Sequence, residues 1–241
     1  MAKYQLQLVN QSGAAQRFYF LTAPPTFHPE EVYSTPWLSI LVQDGFTTNV
    51  SINMDFYAFF SQKEVVDGKS KISSGNPRPE PAKLGVGDTK GSSYKIYWDR
   101  SKENFRWDDT PHENNAYPKC FSIFTRPGFS QDDNLMIGVA MLKDGSEYAS
   151  PVAVLDARPA LTYNIAPVPT FYVSAGDKRE GDLFDFSPDK IKSGVYDFSA
   201  NSRGQGYTAG TLTYTGDSLW TQAEYIYPTT GLSAPTCSHN C

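Results

Sequence analysis

A chain of 241 residues has room for one large all-β domain or two small ones. Its formal charge is −5 and it holds no long Lys/Arg block, so the basic stripe of a nucleic-acid binder is missing. No run approaches the roughly 18 apolar residues of a transmembrane helix, whereas 15 Tyr, 15 Phe and 4 Trp suit a pleated, half-buried surface.

The first element starts almost at once. Tyr4, Leu6 and Leu8 alternate with Lys3, Gln5 and Gln7, the period of a half-buried strand. This leaves no room for a basic and apolar leader ahead of it. The expectation is therefore a cytoplasmic protein, or one released without a cleavable signal. The sequons at Asn10 and Asn49 are then chance matches. Asn10-Gln11-Ser12-Gly13 supplies a turn, and 16–21 returns as a second strand.

Further strand-like runs fall at 37–42, 46–60, 94–98, 120–124, 135–142, 147–155, 161–165, 170–175, 207–214 and 219–227. Two hairpins are well signalled. Residues 135–142 and 147–155 flank Asp144-Gly145, which supplies the positive φ of a tight turn. Residues 207–214 and the run from Leu219 flank Thr215-Gly216-Asp217-Ser218, where Leu212, Tyr214 and Trp220 can pack across the pair. Residues 61–93 are polar and rich in Gly, Pro, Lys and Ser, and read as a linker or, preferably, one long surface loop. Ser187-Pro188 suits one short capped turn. The predicted architecture is all-β, an antiparallel β-sandwich with long loops, spanning 1–230 as one domain. A flexible tail follows over 231–241.

The opening from Tyr4 to Ser12, then Pro24-Pro25 and Trp37-Leu38, resembles the start of the RhiA family, named for a rhizosphere-expressed protein. The block Pro169-Thr170-Phe171-Tyr172-Val173-Ser174-Ala175-Gly176, followed by Gly181-Asp182-Leu183-Phe184-Asp185, resembles a second segment of it. The resemblance implies one β-rich domain in a family of bacterial and fungal proteins without an established activity. It transfers no catalytic residue, and the region 94–120 departs from the family pattern.

The densest polar-aromatic cluster lies in that region: 94–100, then Phe105-Arg106-Trp107-Asp108-Asp109 and His112-Glu113. A hairpin with its loop at 101–104 would bring Trp98, Asp99, Trp107, Asp108, Asp109 and His112 to one sheet edge. Rings beside carboxylates can stack on a sugar or a flat ligand and hydrogen-bond its rim. Asp108, Asp109 and His112 also offer acid-base groups. The competing reading makes Trp98 and Trp107 core anchors, with the carboxylates in a solvated loop.

Metal chemistry has little support. Cys237, His239 and Cys241 fall in the tail, and Cys120 is the only other thiol, short of a rigid four-ligand site. No cofactor motif is present: no Gly-rich loop enters a helix, and His28 and His112 sit in loops without a recognisable nucleophile partner. Asp177 to Glu180 reads as an exposed turn. The leading function is binding of a small-molecule or carbohydrate-like ligand. A cofactor-free cyclase or isomerase of secondary metabolism is the alternative, and a membrane-surface or pore-forming protein the third class.

Overall fold

The structure is a computed structural model, and it describes residues 3–25, 32–73, 79–109, 116–143, 146, 148–185, 192–217 and 219–226. The fold is all-β, and the described strands form three sheets, none of them closed into a barrel.

The large sheet is built on β5 (Thr47–Val66), a strand of 20 residues. On one side of it lie β11 (Leu135–Lys143), β12 (Ala149–Asp156), β3 (Tyr33–Ser34) and β15 (Phe184–Asp185). On the other lie β1 (Lys3–Asn10), β17 (Ala209–Gly216) and β18 (Leu219–Trp220). Three short strands add to it: β6 (Lys69–Ile72) and β7 (Glu80–Ala82) pair with β5, and β19 (Glu224–Ile226) pairs with β17. A second sheet runs β13 (Thr162–Ile165), β10 (Phe121–Thr125), β8 (Ser93–Asp99), β9 (Asn104–Trp107). A third runs β16 (Gly194–Asp197), β14 (Thr170–Ala175), β2 (Gln16–Thr22), β4 (Leu38–Val42).

The alternation read in the first strand is the packing pattern. Tyr4, Leu6 and Leu8 of β1 are buried, while Lys3 and Gln5 are exposed. One buried cluster joins all three sheets, with Leu6 and Leu8 of β1, Phe18 and Phe20 of β2, Phe60 of β5, Ile96 of β8, Ile123 of β10 and Leu212 of β17. Aromatic pairs stitch the layers. Tyr4 meets Phe171 of β14 at 5.8 Å, and Phe18 meets Tyr214 of β17 edge-on at 5.3 Å. Such pairs add about 0.5–1.5 kcal/mol beyond their area burial. Residues 58–61 of β5 are buried on both faces. The reverse face there carries a second cluster of Phe59, Met136, Ala140 and Val154, against which Tyr33, Ile72 and Leu183 pack. A strand covered on both faces reads as a continuous apolar run, as Ala58-Phe59-Phe60 does.

Three expectations need correction. The sheets are mixed rather than wholly antiparallel, since β1–β17 and β8–β10 are parallel pairs. Partners far apart in sequence need no hairpin, so parallel pairing is open to them. Residues 61–93 are not one loop. β5 continues to Val66, turns at Asp67 (φ 52°) and Gly68 (φ 72°), and returns as β6. Asp-Gly is the same turn signal credited at 144–145. β7 then pairs with 56–58 of β5, and Gly85 and Gly91 bridge to Pro118 and Ala116. Finally, 219–227 is broken into β18 and β19, both hydrogen-bonded to β17. Ser187-Pro188, the Asp144-Gly145 turn and the 231–241 tail lie outside the described residues.

Candidate functional site

The hairpin expected around 101–104 forms. β8 and β9 pair antiparallel, with Ile96 opposite Trp107, Trp98 opposite Phe105 and Asp99 opposite Asn104. Cross-strand partners share a face, so Tyr94, Ile96, Trp98, Phe105 and Trp107 all point one way. That way is the core. Trp107 stands edge-on to Phe60 at 4.7 Å and lies 5.5 Å from Tyr94. Trp98 packs on Phe105 at 4.8 Å.

The carboxylates lie on the other side. Asp99 accepts hydrogen bonds from the Ser101 hydroxyl at 2.6 Å and the Ser101 N–H at 3.0 Å, with Arg106 at 3.5 Å. The Ser101 hydroxyl, more than any other partner, holds the Asp99 carboxyl below its ordinary range. Asp99 thus closes the β8–β9 turn. Asp108 is buried and forms an ion pair with Arg126, whose guanidinium sits 5.9 Å over the Tyr97 ring. The Asp108 N–H donates to Lys95 O at 2.9 Å. Asp109 is exposed, and His112 lies outside the described residues. The hairpin therefore sends the two indoles and the carboxylates to opposite faces rather than to one surface.

A different place in the fold brings rings and polar groups together. Where β16, at the edge of the third sheet, meets β17–β19 of the large sheet, a cleft of about 670 Å³ opens. Trp220 and Tyr225 line it, with Asp197, Asn201, Arg203 and Gln222.

Both rings are held in place. Trp220 packs 4.8 Å from Tyr214 and 5.9 Å from Phe18, and its indole N–H donates to Lys192 O at 3.2 Å. It packs against Gly194 of β16, where an added Cβ would fall 2.6 Å from its Cε3. Tyr225 stands edge-on to Phe198 at 5.4 Å, and its oxygen accepts the Asp197 N–H at 2.8 Å. Its ring rests on Gly204, where a Cβ would fall 2.5 Å from Cε1. Only glycine at these two positions lets the backbone approach so closely.

β16 is itself anchored. Tyr196 is fully buried and donates its hydroxyl to Gln7 O of β1 at 2.5 Å. Burial drives that hydroxyl's pKa far up, so it stays protonated and remains a donor. Asp197 Oδ1 accepts from Thr170 Oγ1 at 2.9 Å and from the Ser199 N–H at 3.0 Å. Burial pushes the Asp197 carboxyl up, but the hydrogen bonds from Ser199 and Thr170 outweigh it, and the net shift is downward. Asp197 is thus ionised at neutral pH. Two preset rings with a guanidinium and amides beside them suit a ligand with a flat apolar face and hydroxyl edges; the Asp197 carboxylate, bonded to Thr170 of β14, lies on the face of β16 opposite Gly194.

The sequence reading passed over this cleft for a physical reason. Trp220 reads as a cross-strand partner of Leu212 and Tyr214, and it does pack on Tyr214. Gly194-Val195-Tyr196-Asp197 is too short to show a period, and the seats of the two rings are glycines distant in sequence. The available local signal was the polar loop 199–206 between Phe198 and Tyr207.

Among the described residues there is no group of three His, Cys, Asp or Glu that could hold a metal. No helix of theirs is long and apolar enough to cross a membrane. A model of the RhiA family matches residues 1–224, which takes in every strand up to β18 and the first residue of β19. No curated protein and no solved structure matches the chain.

Proposed function

The chain belongs to the RhiA family, and from that premise we propose that it is a carbohydrate-binding protein whose ligand lies in the β16–β19 cleft. One observation carries this reading: Trp220 and Tyr225, each seated on a glycine, line the same cleft as Asp197, Asn201, Arg203 and Gln222. Rings fixed before the ligand arrives lose little conformational entropy on binding. A pyranose presents a C–H face that packs on an indole and hydroxyls that meet side-chain amides and carboxylates. In this reading Trp98 and Trp107 are packing residues, and Asp99 and Asp108 stabilise the hairpin. No acid-base pair is required of the cleft, so binding rather than turnover is the activity proposed.

The test is a glycan array followed by calorimetry on the best oligosaccharide. Trp220→Ala is expected to weaken binding at least about tenfold, the scale of an aromatic anchor. Because Trp220 also packs on Tyr214, Gln222→Ala is the companion: its side chain is exposed, so affinity should fall with no change in melting temperature. Unchanged affinity in both variants would remove the cleft from the reading.

A further inference from the structure

The charges in the cleft point to a narrower ligand class. Asp197 and Arg203 are the two charged residues along it, and the Asp197 carboxylate points with Thr170 to the other face of β16. The Asp197 carboxylate is engaged by Thr170 and by the Ser199 N–H, and forms no ion pair with Arg203. Arg203 is exposed, and among the described residues it pairs with no carboxylate; its charge acts on the Tyr225 hydroxyl. Arg17, Arg106 and Arg126, by contrast, each have a carboxylate within 4 Å. A guanidinium beside two preset rings is thus left with its planar fork of donors available.

We propose that the cleft selects an acidic saccharide, a sugar carrying a single ring carboxylate, with Arg203 receiving that carboxylate while Trp220 and Tyr225 take the ring faces. This rests on the carbohydrate reading of the same cleft. A planar guanidinium meets a carboxylate through two parallel hydrogen bonds, stronger than neutral ones. The protein's formal charge of −5 gives no general attraction for anions, so any preference for the acidic sugar is local to this cleft.

The experiment is calorimetry with three sets of probes: galacturonate and glucuronate oligosaccharides, their neutral galactose and glucose counterparts, and galactose 1-phosphate. The expected result is a uronate affinity about tenfold above the neutral counterpart, one good charge-assisted contact at an exposed site. The gap should shrink as salt is raised. Arg203→Gln should abolish it, so that the variant binds uronate and neutral oligosaccharides equally. Since Arg203 is exposed, the variant should keep the wild-type melting temperature. Neutral and acidic sugars binding equally would overturn this inference and leave the carbohydrate reading standing. The same holds if the gap survives in Arg203→Gln or if galactose 1-phosphate binds more tightly than the uronates. Binding of none of the probes and no glycan on the array would overturn both together.

Discussion

Gly194→Ala tests whether the floor of the cleft is as rigid as its contacts require. An alanine Cβ would lie 2.6 Å from Trp220 Cε3, 2.9 Å from its Cδ2 and 2.8 Å from Leu212 Cδ1. Ordinary contact begins near 3.4 Å, so the indole would have to move by about 0.8 Å, the difference between 3.4 and 2.6. It cannot swing freely. Tyr214 and Phe18 pack against it, the Lys192 carbonyl holds its N–H, and the Cβ meets the ring junction rather than a mobile tip. Overpacking of this kind costs about 1–3 kcal/mol. Alanine in a strand recovers roughly 0.5–1 kcal/mol of the entropy that glycine loses. The net expectation is a loss of about 1–2 kcal/mol. For a chain of this size that is a fall of about 3–6 °C in melting temperature by scanning calorimetry. The indole emission should shift as the ring is displaced, and glycan affinity should fall with it. A melting temperature equal to or above that of the wild type, with unchanged emission, would refute the claim that Gly194 seats Trp220.

Trp107→Ala should cost about 2–3 kcal/mol in urea unfolding, somewhat below a fully buried aromatic because Trp107 is half-buried against Phe60 and Tyr94. Glycan affinity of the folded variant should be retained; a stable variant that no longer binds would return the site to the hairpin. The Asp197 carboxyl has a lowered pKa in the folded chain. Its stabilisation is therefore fully present above the unfolded value of about 3.9 and is lost as pH falls through the folded value. Asp197→Asn should accordingly be less stable than wild type at pH 7, with a smaller gap at pH 2; a gap that widens in acid would reverse the assigned sign. Cys120 is partly buried, and burial raises its thiol pKa. In the native protein it should react with a thiol reagent more slowly than a free thiol at pH 8, and equal rates would contradict that burial. After denaturation without reductant, three thiols should react; a lower count would establish a disulfide and withdraw the expectation of a cytoplasmic protein, since disulfides persist in oxidising compartments.

Much of the fold is legible locally. Alternation in 3–9 and the run 135–142 need only a period and a turn to be read, and both are strands. Elements of two to four residues are not legible this way. β3, β15 and β16 exist because a neighbouring strand offers an edge, as β12 does for β3. The 61–93 stretch misled through composition, since the Asp67-Gly68 turn was outweighed by the Gly, Pro and Ser that follow it. At the hairpin, period two puts Trp98 and Asp99 on opposite strand faces. Joining Trp107 to the carboxylates required a surface that the core claims instead. The β16–β19 cleft depends on Gly194 meeting Trp220 and Gly204 meeting Tyr225, and such pairs are set by tertiary register alone.

The most direct test of the carbohydrate reading is amide and indole NMR of the isotope-labelled protein during titration with its best array glycan. The account predicts shifts concentrated at Gly194, Asp197, Arg203, Thr221 and the Trp220 indole, with the β8–β9 hairpin unmoved. Shifts centred on Tyr97, Asp99, Arg106 and Asp108 would contradict it, as would a spectrum that no glycan perturbs.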